Sequence, residues 1–363
     1  MGSARAPQAL KRASSRPDAA LDPHTPITFR LQQCFRGGDH LITEKSRVLA
    51  SLKGLATGDA IGKQTENLNR DGIAHWYPRG VHGFEGRPGT IIPRYASNRK
   101  HQWLFGETTD DTERTIAVAR AVLRDGEVGH ASVGRELLTC MKSVHPGVKS
   151  LWEFHEAGDA TRVTLDHNGC GAAIRVAPVG ILYRSNRLDD IVEGAHQASI
   201  STHGGPLALA AAAATAAAVS AAIDGAEGVE IVSFAQIASE RAEQKRSGSR
   251  DTVFARAIRS IHDDLSRLPE LNADDLARRY APTQPLTIVP LAIALATLME
   301  SAELAILLAA NIGGDSDSVA SVAGSVLGAR YPASVNEDWY GIVEAVNDHR
   351  LTRLGEDLSA LRA

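Results

Sequence analysis

From Leu207 to Ile223 the chain is mostly alanine, with only Thr215 and Ser220 as polar residues inside the tract. Alanine loses no side-chain entropy on entering a helix and is the best helix former. A helix that is apolar all round must also be covered all round. The tract is short for a bilayer crossing, so it reads as a buried helix with other helices packed closely on its small side chains. Such a centre demands helical neighbours, and the rest of the sequence offers them. Thr43 can cap a helix with Val48, Leu49, Leu52 and Leu55 at helical spacing. Helical patterns follow over Thr112–Leu123, His130–Met141, Leu188–Ala198, Val229–Lys245, Asp251–Leu268 and Leu291–Ala310. A last one begins at Ser318 and runs towards Ala329. No strand–helix alternation is present, which disfavours a parallel α/β sheet.

The expectation is therefore one all-α domain over residues 43–363, preceded by a mobile tail over residues 1–42. That tail is rich in Ala, Pro, Ser and Arg, and only Ile27–Cys34 within it has a pattern suited to local packing. Its basic residues are not followed by an apolar h-region, so a secretory signal is not expected. The polar Glu243–Asp251 segment reads as an exposed connection. With 363 residues and a net charge of −4, the chain gives no electrostatic reason to expect a nucleic-acid partner. The cysteines, Cys34, Cys140 and Cys170, are scattered and odd in number, with no zinc-like spacing. A reducing, cytoplasmic compartment and a monomer without a membrane partner are expected.

Two segments carry chemistry. Thr109-Asp110-Asp111-Thr112-Glu113 opens the helix bearing Ile116, Val118, Val122 and Leu123. Asn311-Ile312-Gly313-Gly314-Asp315-Ser316-Asp317-Ser318 opens the helix bearing Val319, Val322, Val326 and Leu327. Acids and hydroxyls are ordinary helix caps and complement the helix dipole, and Asp110 with Glu113 has the spacing of a capping box. Either segment alone is explained that way. A cap needs a single side-chain oxygen, however, and both segments supply more carboxylate than that in otherwise apolar surroundings. As a pair they suit a shared site for a hard cation, Mg²⁺, Mn²⁺ or Ca²⁺ rather than zinc. Gly313 and Gly314 would let the backbone approach a ligand closely.

Three further segments are distinctive. Gly58-Asp59-Ala60-Ile61-Gly62-Lys63-Gln64-Thr65-Glu66 is similar to a phosphate-binding P-loop, but its glycine spacing is a residue short and no Ser or Thr follows Lys63. What remains is a glycine-punctuated helix end presenting Asp59 and Glu66, and pattern alone favours a solvated surface acid for either. Gly169-Cys170-Gly171-Ala172-Ala173-Ile174-Arg175 is suited to lining a phosphate or ribose pocket, or to close helix packing. Thr202-His203-Gly204-Gly205-Pro206 offers a histidine of either structural or chemical use. The aperiodic stretch Gly72–Phe105, rich in Gly, Pro, His, Trp and Tyr, is too long for a plain connection.

In this order, from about Lys53 to Trp339, these motifs resemble the ADP-ribosylglycohydrolase family, which includes ADP-ribosylarginine hydrolases and the glycohydrolase that reactivates dinitrogenase reductase. The resemblance implies a compact orthogonal all-α fold with two Mg²⁺ ions (Mn²⁺ in their place) at the base of a cleft. By motif position Thr109, Asp110 and Asp111 would ligate from one side and Asp315, Asp317 and Ser318 from the other, with Glu66 as the catalytic acid/base beside the ribose. Asp59, Gly169, Cys170, Gly171, Arg175, His203, Gly204, Gly313 and Gly314 would contact substrate. The reaction implied is hydrolysis of the glycosidic bond between ADP-ribose and an acceptor, which is either a protein side chain or a small molecule. Many members carry Asn where Cys170 stands and a second His where Gly205 stands, a departure that touches the diphosphate contacts and the leaving-group preference.

Two other functions compete. A class I terpene cyclase is also all-α and magnesium-dependent, but its second metal motif is missing here and the aromatic residues, 5% of the chain, are too few for a carbocation pocket. A catalytically silent ADP-ribose-binding regulator on the same fold would have no need of the full set of proposed ligands together with Glu66.

Overall fold

The alanine tract forms the buried centre that its composition requires. In the computed structural model, which describes residues 28–30 and 42–362, it is a helix from Pro206 to Ile223 with nearly every side chain inaccessible to solvent. By length and hydropathy it is the one described helix that could cross a membrane, and 89% of it is buried in the protein.

Among the described residues there are sixteen α-helices, this one included. In chain order they are α1 (Glu44–Gly62), α2 (Arg70–Trp76), α3 (Asp110–Asp125), α4 (His130–Leu137), α5 (Lys149–Ala157), α6 (Ala177–Leu182), α7 (Leu188–Ser199) and α8 (Pro206–Ile223). They continue as α9 (Gly228–Ser247), α10 (Phe254–Leu265), α11 (Ala273–Tyr280), α12 (Pro285–Leu298), α13 (Ala302–Ile312), α14 (Ser316–Arg330), α15 (Glu337–Asn347) and α16 (Leu351–Leu361). One buried apolar cluster runs through residues from Val48 to Leu358, so the described helices share a core. The only sheet among the described residues is an antiparallel pair, β1 (Thr28–Arg30) with β2 (Glu270–Asn272). β1 falls in the Ile27–Cys34 stretch for which local packing is expected. The remainder of the proposed tail, with Cys34, lies outside the described residues.

The periodic segments become helices, with two differences. The Leu291–Ala310 pattern is two helices, not one. Met299 turns extended, and Ser301 caps α13 by accepting from the Leu304 N–H. Apolar spacing continues across the break, so periodicity alone cannot see it. The aperiodic Gly72–Phe105 stretch is not plain loop either. It holds most of α2 and a backbone bridge between Ile91 and Leu104, closed over a small cluster of Ile92, Tyr95, Trp103 and Phe105.

The contact that positions the site is α1 against α14. Gly54, Gly58 and Gly62 lie four residues apart on one face of α1. A Cβ on any of them would overlap backbone of Gly324, Ala320 or Asp317 respectively. From the other side, Gly324 and Gly328 lie against the carbonyls of Gly54 and Ala50. The helices therefore meet backbone to backbone, with the Ser51 and Ser325 hydroxyls hydrogen-bonded at 2.9 Å across the seam. Spacing of four residues keeps the small side chains on one face of the helix.

Candidate active site

The α1–α14 seam ends at the chemistry. Gly62 is in contact with the Asp317 backbone, and the Ser316 hydroxyl donates to the Gly62 carbonyl at 2.9 Å. One turn earlier, Asp59 is fully buried. Its carboxylate accepts from the Thr109 N–H at 2.9 Å, the Thr112 N–H at 3.1 Å and the Thr112 hydroxyl at 2.5 Å. Asp59 thus pins the start of α3 onto α1, and α1 brings together the two acidic helix starts that are distant in sequence. Asp59, for which the resemblance implies a substrate contact, has its carboxylate on the α3 N-terminus.

The acids at these starts do more than cap. Thr109 is the cap of α3, accepting from the Asp111 N–H, so Asp110 is not the cap that its spacing with Glu113 suggests. The Glu113 carboxylate instead accepts from the Met141 and Lys142 N–H groups. Asp110 pairs with the buried Arg114 at 2.5 Å and accepts from the Ser143 hydroxyl at 2.5 Å. Asp111 is buried, and its Oδ2 has no hydrogen-bond partner. On α14, Asp315 stands at the cap position yet makes no capping hydrogen bond. It accepts instead from the Cys170 thiol at 3.2 Å. Asp317 accepts from the Ser318 N–H at 3.1 Å.

The electrostatics show how close these groups lie. Burial, then the neighbouring Asp59, Asp110 and Asp315 carboxylates, push Asp111 well above the usual carboxylate range. Burial and the Glu66, Asp315 and Asp111 carboxylates do the same for Asp317, with Lys63 opposing. Burial raises Asp315 as well, opposed by hydrogen bonding with Asp317, Ser318 and Cys170. An unpartnered buried carboxylate oxygen amid like charges is costly unless a cation neutralises it. The donor set of carboxylates and hydroxyls suits a hard divalent ion. Among the described residues no group of three or more His, Cys, Asp or Glu side chains is arranged to hold a metal ion. Neighbouring side chains hold several of the carboxylates instead. Arg114 takes Asp110, while the Lys63 ammonium pairs with Glu66 and lies 3.9 Å from Asp317. The residues fit a hard cation by chemistry and by the orphaned Asp111 oxygen.

Glu66 lies just past the end of α1, with its side chain 23% exposed at the edge of a cavity of about 930 Å³. Its surroundings come from the stretch that has no period. Trp103 lies under the Lys63 ammonium at 4.2 Å, and Tyr95 donates to Glu66 at 3.3 Å. Lys63, Arg94, Trp103, Lys142 and Ser143 were not identified by pattern. The one available signal was Lys63 itself, three residues before Glu66 on a helix end.

The second group of expected contacts forms its own cluster. The His203 ring lies against Gly169 and Gly171, with Thr202 at 2.8 Å on Nδ1 and Ser150 at 3.3 Å on Nε2. Burial, then Arg175, holds His203 well below its ordinary value, so the imidazole is neutral. Arg175 is fully buried and donates to the Ala198, Ser199 and Gly171 carbonyls and to the Thr202 hydroxyl. It ties the Cys170 segment to the end of α7. Gly204 packs on the Thr164 backbone, and Gly205 leaves room for the Asn168 side chain. Gly313 and Gly314 both have positive φ. They approach the Leu68 and Pro282 carbonyls, so their freedom serves close contact with protein backbone. Of the second set, Cys170 alone reaches the acidic centre by a side-chain hydrogen bond.

Comparison with known proteins identifies the family and the fold. The model of a protein family described as ADP-ribosylglycohydrolase matches residues 41–363. YegU of Escherichia coli K12, an uncharacterised protein, is 29% identical over 340 residues, 87% of this chain and 97% of that protein. The ADP-ribosylarginine hydrolase Tri1 of Serratia proteamaculans is 25% identical over 85% of this chain and 77% of its own length. The ADP-ribosyl-[dinitrogen reductase] glycohydrolase of Rhodospirillum rubrum is 29% identical over 46% of this chain and 54% of its own. A solved structure titled as an ADP-ribosylglycohydrolase-related protein complex superposes with a TM-score of 0.66 at 22% identity, covering 88% of this chain and 99% of that one, a likeness of fold. The chain belongs to the ADP-ribosylglycohydrolase family.

Proposed function

We propose that this protein hydrolyses the glycosidic bond between ADP-ribose and an acceptor, using divalent magnesium or manganese held between the starts of α3 and α14. The observation that carries the reading is the buried, unpartnered Asp111 oxygen in a patch of mutually repelling carboxylates. Thr109, Asp110 and Asp111 would hold the ions from one side and Asp315, Asp317 and Ser318 from the other. When bound, the ions supply positive charge that orients ribose hydroxyls and water. Glu66, at the rim of the cavity, would exchange a proton with water or the leaving group. Lys63 and the Tyr95 hydroxyl hold that carboxylate in place. The surrounding carboxylates stabilise the positive charge that develops at the anomeric carbon.

The test is Asp315→Asn. Asn caps a helix about as well as Asp, and the Asp315 side chain makes no capping bond to lose. Folding stability should therefore change little. Mg²⁺ affinity measured by calorimetry and hydrolysis of ADP-ribosyl conjugates should both collapse, and EDTA should abolish wild-type turnover until Mg²⁺ or Mn²⁺ is restored. Near-normal turnover in the variant, or full activity in excess chelator, would overturn the metal reading.

A further inference from the structure

The cavity beside Glu66 is walled by cations. Lys63, Arg94, Lys100 and Lys142 all line it, and Glu66 is the only acid among its lining residues. Two of these cations are built in. Lys63 is buried at the base, with its ammonium over Trp103. Arg94 spends its donors on the Gln64, Lys63 and Glu66 carbonyls and on the Tyr95 hydroxyl, with no carboxylate to neutralise it. Lys142 lies 5.5 Å from the Trp103 ring centre and 3.4 Å from Glu107, which stands behind the wall and also pairs with His101. Lys100 is exposed at the mouth. Beyond Lys63 lie the aspartates that the divalent ions would neutralise. With Glu66 paired to Lys63 and Glu107 beside Lys142, Arg94 and Lys100 are the lining cations that no carboxylate neutralises, so the lining stays net positive and a guanidinium there would meet more like charge than unlike.

We propose that this cavity is a subsite for an oxyanion on the acceptor half of the substrate, a phosphate or carboxylate group, and that it disfavours an arginine acceptor. The inference rests on the hydrolase reading for its chemistry, although the charge selectivity stands on the cavity alone. Hydrolysis there breaks the bond between the anomeric carbon and an acceptor oxygen, and the bonding pair departs with the acceptor. The oxygen of water bonds to the anomeric carbon and its proton passes to Glu66. An acceptor that leaves as a phosphate or carboxylate needs no further proton at neutral pH, and the lysines stabilise its charge.

Two experiments on the full chain with Mg²⁺ separate this inference from the reading beneath it. In the first, calorimetry measures benzoate and benzamidine, matched in shape and opposite in charge. Benzoate should bind about tenfold or more tightly, and Lys100→Glu and Lys142→Gln should each reduce that preference several-fold while moving free ADP-ribose affinity by less than about twofold. Equal binding of the two probes would overturn the subsite. So would parallel weakening of ADP-ribose and benzoate in the variants, which would put the diphosphate of ADP-ribose in the cavity instead. In the second, kcat/KM is compared for ADP-ribose 1″-phosphate and an ADP-ribosyl-arginine peptide. The phosphate conjugate should be favoured by about a hundredfold, and a preference for the arginine conjugate would overturn the proposal. Turnover of neither, with benzoate selectivity intact, would remove the hydrolase reading and leave the oxyanion subsite standing.

Discussion

Glu66 owes its place to neighbours that the chain supplies from three directions. Lys63 stands on the same helix end, Tyr95 comes from the loop after α2, and the Asp317 carboxylate lies across the α1–α14 seam. If Glu66 moves the proton, Glu66→Gln keeps its shape and loses its base. Turnover should then fall by about a hundred- to ten-thousand-fold. Free ADP-ribose should still bind, because the proposed ligands on α3 and α14 are untouched. Single-turnover rates set beside calorimetric affinity check this, and an unchanged rate would remove Glu66 from the chemistry.

At the scale of elements, the seam between α1 and α14 has no room for side chains. Gly58→Ala places a Cβ against the Ala320 carbonyl, which is backbone and cannot rotate away. Overpacking of this kind costs about 1–3 kcal/mol. Because Asp59 is the next residue and Gly62 the next turn, Mg²⁺ affinity should fall with stability. Gly341 provides the contrast. It lies on the exposed side of α15, and a Cβ there would meet nothing within 4 Å. Gly341→Ala should stabilise by up to about 1 kcal/mol through helix propensity alone. Urea denaturation of both variants decides, and a neutral Gly58→Ala would mean that the seam yields more readily than its geometry allows.

At the scale of the whole molecule, the C-terminal helices α15 and α16 are tied to the active-site end through the last residue of α15 and the turn that follows it. The His349 ring contacts the Thr108 hydroxyl at 2.7 Å, and the Asn347 side chain donates to the Gly106 carbonyl at 2.7 Å. Burial first, then Lys142 and Arg120, lower His349 from 6.5 to about 4. The folded state therefore binds this proton less tightly than the unfolded chain. The stability it contributes is complete above about pH 6.5 and is lost as pH falls towards 4. A shift of this size corresponds to about 3 kcal/mol at most. Thermal unfolding measured from pH 7 to 4 should show a shallower loss for His349→Gln than for the wild type. Equal slopes would show that His349 is not held neutral.

The sequence by itself determined the class of fold, because an all-apolar alanine helix can be buried only among other helices. It determined both acidic starts as well, since carboxylates beyond the needs of capping are legible in the residue pattern. Their pairing is a matter of tertiary structure. Asp111 and Asp317 are separated by most of the chain, and they meet because a stripe of glycines lets α1 touch α14 while Asp59 docks α3. Tertiary structure also decided which polar residues face the site. On pattern alone Asp59 reads as a surface acid, yet it and Arg175 are fully buried and hydrogen-bonded to protein. Lys63, Trp103 and Lys142 look unremarkable in one dimension, yet they form one wall. The physical reason is that helical periodicity encodes which face of an element is buried, whereas a site is built where several elements end, and the chain's local pattern carries no record of which ends will meet.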